Sequence, residues 1–587
     1  MQTKAQENQY FFVKWNKAIL SLTTKVEAIK NKVPEIIVLV LWTIIHFVTS
    51  AYHERWFDEA VAWQIAKNAS LHDLLFKVPH YEGHPFLWHL ILRPFAKAGV
   101  PYSLSLTIVS LVFMLATIYV VVFHTKLPRI LRLSFPFTYF IVYQYGVVTR
   151  PYCMMALALM VLAVFHKKRN EKPLRYVAML FALCLTSAYG IVLAFGICLE
   201  WMIEILRETK WKIRSLVSEK RIQCLFALFL CAIGAVISII PAKDCFAARV
   251  SLERTGISNL VNSFIYLGLI LPADALFSNF FNEISRLLFY GFSVYEMVVG
   301  SIFGSCVLVF AFQQGKRKGT VGYLFIPHVL LAVFSSFVYF STHHIGIWFL
   351  LFCFWVIITL DAKEIEKKET RISLFCKPIR DYFAGIAIAI VLVISIYQGI
   401  ASCVLDVQLP YTYGKELAEF IDKNGLKEYN IMVGWTEELL DENDATGELK
   451  SVTPYQNEPA DLVNAYLGYN AFYNYLDGDD RAYIPHKRFS MEEAREIADT
   501  WKKQGYPGVL VGFPNLEYVF GEKNLKSKYI PVKAFENKTM WKGRCQFCYE
   551  VYLFVRRDLA EQLGMKEIKV PFMWSLQLEE VKDVEDN

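Results

Sequence analysis

The sequence predicts a multi-pass α-helical membrane protein that ends in a small α/β domain. Of its 587 residues, 55% are hydrophobic, whereas soluble proteins contain roughly 45–50% apolar residues. The apolar residues fall in runs of about 17–25, the length that a helix needs to cross the hydrocarbon core of a bilayer. After residue 404 these runs give way to a charged, mixed pattern. The formal net charge of +6 is modest and gives no indication of a nucleic-acid partner.

About eleven apolar runs are long enough to span a bilayer. A further apolar stretch, 259–278, contains Asn262, Pro272 and Asp274, so we expect it to be re-entrant or interfacial. The predicted spans are 34–52, 101–123, 131–149, 151–166, 174–188, 190–206, 223–241, 288–313, 321–341, 344–361 and 383–403.

Positive charge predicts the orientation of these spans. Short cytoplasmic loops of membrane proteins are enriched in Lys and Arg. If segment 1–33 is cytoplasmic, every basic loop falls on the cytoplasmic side, which predicts a cell-membrane protein. The transmembrane domain would then cover 34–403, with its first loop 53–100 and the domain 404–587 outside the cytoplasm. The basic loops are 124–133, 166–176, 207–222, 314–319 and 362–381.

The domain 404–587 alternates charged helical patterns with short apolar strands, which predicts an α/β fold. It contains neither a P-loop nor GxGxxG, so nucleotide binding is not supported. Cys545 and Cys548 form a CxxC that is compatible with a redox pair, a structural disulfide or two free thiols. The helical patterns are Gly414 to Asn424 and Ser490 to Gln504, the strands are 431–434 and 508–512, and an antiparallel pair is 528–535 with 547–555.

The first outer loop contains the most informative residues of the chain. Two amphipathic stretches, Asp58 to Asn68 and 86–97, are expected to lie along the membrane surface as juxtamembrane helices. They would hold Asp58, Glu82 and His84 at the lipid–water boundary. Asp58 also suits a helix N-cap, and the two roles can coexist. Glu59 points about 100° away from Asp58 on a helix, so it is the weaker candidate.

Three basic or titratable side chains fall at the outer ends of later spans. Arg150 opens the fourth predicted span, where a guanidinium suits a phosphate but can also be a snorkelling anchor. His343 and His344 occupy the short turn between the ninth and tenth spans. Both could meet an anionic head group or cap the interface.

These motifs resemble the GT-C membrane glycosyltransferases, especially protein O-mannosyltransferases and lipid A aminoarabinose transferases. The resemblance covers roughly residues 34–206 and departs from the O-mannosyltransferases at Phe86, where they have a second proline. The matching motifs are Phe57-Asp58-Glu59, Glu82-Gly83-His84-Pro85 and Arg150-Pro151-Tyr152.

The resemblance implies a catalytic set and a donor site. Asp58 would act on the acceptor as general base or through a divalent metal, Mg or Mn, with Glu82 as a second metal ligand. Glu59 and Glu82 are the other candidate catalytic residues. The candidate residues for binding the donor phosphate are His84, Arg150, His343 and His344.

The function expected from this pattern is glycosyl transfer from a polyprenyl-phosphate sugar, held in membrane lipid, to an extracytoplasmic glycan, lipid or protein. The alternative is a transporter or flippase of lipid-linked glycans. A transporter would place polar groups at mid-membrane, whereas the charges here gather at one rim. A ligand sensor would leave the first-loop carboxylates and Arg150 unexplained.

Overall fold

The computed structural model describes most of the chain. The predicted cytoplasmic segment 1–33 lies almost entirely outside the described residues, as does the helix predicted over Ser490 to Gln504. The described ranges are 25–27, 31–211, 218–243, 245, 257–277, 294–364, 371–433, 458–472, 507–512 and 528–570.

The chain begins its described fold with one long apolar helix followed by a helical loop. Four short helices form this loop, and the first and last of them lie where the sequence predicts amphipathic stretches. The helix is α1 (Val33–Tyr52), and those of the loop are α2 (Phe57–Asn68), α3 (Leu71–Phe76), α4 (Pro79–Glu82) and α5 (Leu87–Lys97).

A bundle of apolar helices follows this loop. Its members are α6 (Tyr102–His124), α7 (Arg129–Ser134), α8 (Tyr152–Phe165), α9 (Pro173–Cys184), α10 (Ala188–Glu208), α11 (Lys220–Ser238), α12 (Ile257–Ile265), α13 (Leu271–Leu276), α14 (Val294–Lys318), α15 (Gly322–Phe337), α16 (Ile345–Asp361) and α17 (Arg371–Gln408). Within the described ranges, seven segments are long and apolar enough to cross a membrane. This indicates a helical membrane protein, and the count of eleven spans stays a prediction. The seven are Val33–Tyr52, Tyr102–His124, Ala188–Glu208, Lys220–Ser238, Met297–Lys318, Thr342–Asp361 and Ile386–Gln408.

The prediction of one continuous helix over 131–149 is wrong. After α7 the chain forms a 3-10 turn, Phe135–Phe137, and a π turn, Phe140–Gln144. Pro136 lacks the N–H that a continuing helix would need. Both turns are enclosed by protein, where irregular backbone is tolerated at membrane depth. Gly146 permits a close approach, because a Cβ there would lie 2.6 Å from the carbonyl oxygens of Ile141 and Val142.

The other differences concern helix length. Three predicted spans are helices of 14, 12 and 16 residues, namely α8, α9 and α15. The last membrane helix, α17, runs five residues beyond its predicted end at 403 and finishes at Gln408. The stretch predicted to be re-entrant or interfacial is helical, with a π turn at Tyr266–Ile270 between α12 and α13.

The α/β character of the C-terminal domain is confirmed within its described residues. The sheet has the order β1-β2-β4-β3, with β1 parallel to β2 and the other neighbours antiparallel. Cys545 and Cys548 are joined by a disulfide in β4, the second of the three states compatible with the sequence. The elements are α18 (Gly414–Lys423), β1 (Ile431–Val433), α19 (Glu458–Leu467), β2 (Val509–Gly512), β3 (Tyr529–Trp541), β4 (Arg544–Arg556) and α20 (Arg557–Gln562).

Among the described residues, the C-terminal domain contacts both the first loop and the helical bundle. Helix α19 packs against α2 in the first loop. The tip of the β3–β4 hairpin reaches the membrane helices, where Gly543 N donates to Ser402 Oγ at 2.8 Å. Gly543 has a φ of +82°, which favours glycine at this tight turn. The first loop is therefore held between the bundle and the C-terminal domain.

Candidate functional site

The start of α2 sets the direction of Asp58. The N-cap is Trp56, whose backbone N–H donates to Glu59 Oε2 at 2.9 Å. Asp58 is thus the second residue of the helix, and the alternative of Asp58 as N-cap is wrong. The carboxylate that stabilises the first turn belongs to Glu59, at the third position, where a capping-box acid stands. Asp58 is left free of a capping role.

Glu59 is fully buried, and both of its oxygens are occupied. Oε1 accepts from Arg55 Nη1 at 3.1 Å and from Thr149 N at 2.8 Å. Oε2 accepts from Trp56 N and lies 3.2 Å from His53 Nε2. Burial alone would raise the pKa of Glu59, but Arg55 and His53 outweigh burial and lower it. We therefore interpret Glu59 as a positioning residue, in place of the catalytic role the sequence suggested.

Asp58 and Arg150 form an ion pair at the centre of the site. Their side chains are 25% and 11% exposed, so a ligand could reach the carboxylate. The guanidinium also lies over two aromatic rings, 5.3 Å from the centroid of Trp56 and 5.7 Å from that of Tyr152. Such cation–π contacts fix the orientation of a guanidinium. The structure thus joins the predicted base to the predicted phosphate ligand.

The two histidines of the later turn meet the same aromatic residues. The ring centroid of His343 lies 5.2 Å from that of Trp56 and 5.9 Å from that of Tyr152. His344 lies 5.7 Å from Tyr152 by the same measure. Ser341 holds this turn, because its N–H donates to His344 Nδ1 at 2.8 Å. Three segments that are far apart in sequence, around residues 57, 151 and 343, therefore form one cluster.

His84 reaches the cluster from the turn between α4 and α5, with its ring centroid 6.4 Å from that of Tyr152. Burial lowers the pKa of His84 to about 4, so the ring is neutral at physiological pH. Its Nδ1 is buried with no hydrogen-bond partner among the described residues. His84 can therefore offer a hydrogen bond to a ligand, and without a ligand its ring carries no positive charge.

Glu82 ends helix α4 and is followed by Gly83, whose φ of +63° turns the chain toward His84. Burial raises the pKa of Glu82 to about 8, and the charge of Asp461 in α19 adds to this effect. The group is consequently protonated at neutral pH. The structure places Glu82 toward the C-terminal domain.

The predicted metal ligands Asp58 and Glu82 are not arranged as a cation site among the described residues. The Asp58 carboxylate is paired with Arg150, whereas a hard cation prefers anionic oxygens that are free to bind it. Within the described ranges, no group of three or more His, Cys, Asp or Glu side chains is arranged to hold a metal ion. We derive no step through a metal.

The sequence reasoning missed several residues that build this site. Trp56, which stands beside the first motif, and Tyr152, which belongs to the third, form its aromatic walls, a role that the sequence did not indicate. The i, i+4 spacing of Arg55 and Glu59 could have predicted their pairing. His53 is a further omission, because its second partner is Asp406, 353 residues later in the chain.

Comparisons of the chain with protein-family models, with curated proteins and with solved structures found no match.

Proposed function

We propose that this protein is a membrane glycosyltransferase that moves a sugar from a polyprenyl-phosphate donor to an extracytoplasmic acceptor. The acceptor is a cell-envelope glycan, lipid or protein with a hydroxyl group. The observation that carries the proposal is the Asp58–Arg150 pair, in which Asp58 is partly exposed and Arg150 is mostly buried between Trp56 and Tyr152. It combines a base with a phosphate ligand in one place.

The reaction follows from an exchange of partners at Arg150. A donor phosphate takes over part of the guanidinium, and Asp58 becomes free to accept the proton of the acceptor hydroxyl. The acceptor oxygen forms a bond to the anomeric carbon as the bond from that carbon to the phosphate oxygen breaks. The electron pair leaves with the phosphate, whose charge Arg150 stabilises. His84 donates a hydrogen bond to the same phosphate.

The burial of Arg150 favours this role over that of a snorkelling anchor. An anchor extends its charged end toward water or lipid head groups. The Arg150 side chain is 11% exposed instead and is directed into a cluster of aromatic rings and a carboxylate. Its planar fork has donors left for two phosphate oxygens.

The proposed orientation places the site outside the cytoplasm, where a lipid-linked donor replaces nucleotide sugars. It rests on the basic loops, which share one side if the N-terminus is cytoplasmic.

We expect Arg150→Ala to weaken binding of undecaprenyl phosphate by about 10–100-fold, since hydrogen bonds to a charged group contribute about 1.5–3 kcal/mol. Arg150→Lys should recover part of this loss, because Lys restores the charge without the bidentate fork. Binding is measured on purified protein in nanodiscs. The control is Arg175→Ala, which changes an exposed arginine in the basic loop 166–176. Unchanged affinity in Arg150→Ala would make Arg150 an anchor only.

A further inference from the structure

Four charged side chains are buried together behind the candidate site. His53 bridges two carboxylates, with Nδ1 2.8 Å from Asp406 Oδ2 and Nε2 3.2 Å from Glu59 Oε2. Arg55 adds the second positive charge, 3.1 Å from Glu59 Oε1. All four side chains are fully shielded from solvent or nearly so. Buried charges of this kind are tolerated only when they are paired.

With both carboxylates ionised, the charges balance when His53 carries a proton. With a protonated imidazole, two cations face two anions, whereas a neutral imidazole leaves one uncompensated buried anion. The other groups that face His53 are the ring of Tyr411, 4.7 Å away by centroids, and the nearby carboxyl of Glu54. Burial alone would lower the pKa of His53, but Asp406 and Glu59 outweigh it and raise the pKa to about 9.

This network connects three parts of the chain to the donor site. Asp406 belongs to the end of α17, the last membrane helix. Glu59 lies in the first turn of α2 beside Asp58, and it accepts from the N–H of Thr149, the residue before Arg150. The Arg55 backbone is held from the other side, since its N–H donates to Tyr466 Oη and its carbonyl accepts from Thr412 Oγ1.

We propose that protonated His53 is a positioning residue that fastens the start of α2 and the Thr149–Arg150 peptide to the end of α17. Asp58 and Arg150 then keep their positions relative to each other only while His53 bridges Asp406 and Glu59. The contacts of His53 with Asp406 and Glu59 do not depend on any function of the protein. The effect of His53 on phosphate binding by Arg150 rests on the proposed function.

The pH dependence has a definite sign. The pKa of His53 is raised in the folded protein, from an ordinary value near 6.5 to about 9. Its stabilising contribution is therefore complete below about pH 6.5 and is lost as the pH rises through about 9.

The test compares melting temperatures of the purified protein at pH 7 and pH 10. At pH 7, His53→Gln should lower the melting temperature by at least about 5 °C, because it leaves a buried carboxylate uncompensated. It should also remove most of the decrease that the wild type shows at pH 10. The double variant His53→Gln with Asp406→Asn restores the charge balance and should recover at least half of the loss.

Two results would overturn the role of His53 in stability. One is a His53→Gln protein that melts like the wild type with the same pH dependence, and the other is a double variant no more stable than His53→Gln. If His53→Gln cannot be purified, Asp406→Asn decides the matter. With one carboxylate left, His53 should deprotonate at lower pH, so the decrease in melting temperature should begin at lower pH than in the wild type. An unchanged pH dependence contradicts the proposal.

A second measurement tests positioning, using binding of undecaprenyl phosphate at pH 7 well below the melting temperature. His53→Gln should bind at least about tenfold more weakly, and the charge-balanced double variant should recover affinity. Wild-type affinity in a folded His53→Gln protein would exclude positioning of the donor site. If the wild type itself does not bind this lipid, the proposed function fails, while the melting experiment still decides whether His53 fastens α2 to α17.

Discussion

Asp58→Asn should reduce sugar transfer by about 10²–10⁴-fold, the usual cost of removing a positioned general base. Asn is nearly isosteric with Asp, and position 58 is not the N-cap of its helix. Its side-chain oxygen can still accept from Arg150, so the fold is expected to be retained. What is lost is the anionic oxygen that takes the proton from the acceptor. Turnover is measured with purified lipid-phosphate sugar at matched protein amounts.

The matched control is Asp73→Asn, which changes a second aspartate of the same loop in helix α3. Asp73 interacts locally with Ser70 at the start of that helix, outside the cluster around Arg150. Glu59→Gln is unsuitable as a control, because it would weaken the buried ion pairs that Glu59 makes with Arg55 and His53. Near-normal turnover in Asp58→Asn would remove the central residue from the enzyme proposal and favour a flippase of lipid-linked glycans.

Lys542→Met should destabilise the attachment of the C-terminal domain to the membrane helices by about 3–5 kcal/mol, the usual cost of breaking a buried ion pair. Lys542 lies at the tip of the β3–β4 hairpin and is 1% exposed. Its ammonium donates to Asp274 O at 2.6 Å and lies 3.9 Å from Asp274 Oδ1. Met retains much of the volume of the Lys542 side chain. The loss of stability therefore measures the contribution of the positive charge that faces Asp274.

Thermal unfolding and limited proteolysis of the purified protein measure this effect. The double variant Lys542→Met with Asp274→Asn should recover stability, since it leaves no unpaired buried charge. Lys538→Met is the control, because Lys538 lies on the same hairpin, is 29% exposed and pairs with Glu536. If Lys542→Met and Lys538→Met unfold alike, the hairpin tip is not an electrostatic anchor.

Hydropathy predicted the helices and strands that depend only on the pattern of nearby residues. The helix over 34–52 and the strands near 431 and 509 occur close to their predicted limits, because apolar length and alternation determine them. The break near Pro136 was not predicted. It depends on surrounding helices that enclose the irregular backbone, and a scan of hydropathy along the chain does not contain that information.

The candidate site was predicted in part for a similar reason. Asp58, Arg150 and His343 were all expected at one rim of the membrane, and they meet around Trp56 and Tyr152. The roles of individual groups were harder to predict. Burial makes His84 neutral and Glu82 protonated, and long-range partners such as Asp406 place Glu59 in a buried network. Such effects arise from contacts between distant segments.

The central claim is that a polyprenyl-phosphate sugar is consumed at Asp58. Its most direct test is mass analysis of lipid extracts from cells that lack the protein and are complemented with either the wild type or Asp58→Asn. The account predicts that a polyprenyl-phosphate sugar accumulates without the protein, disappears with the wild type and persists with Asp58→Asn at equal expression. Extracts with the same content of such lipids in all three strains, or full clearance by Asp58→Asn, would contradict it.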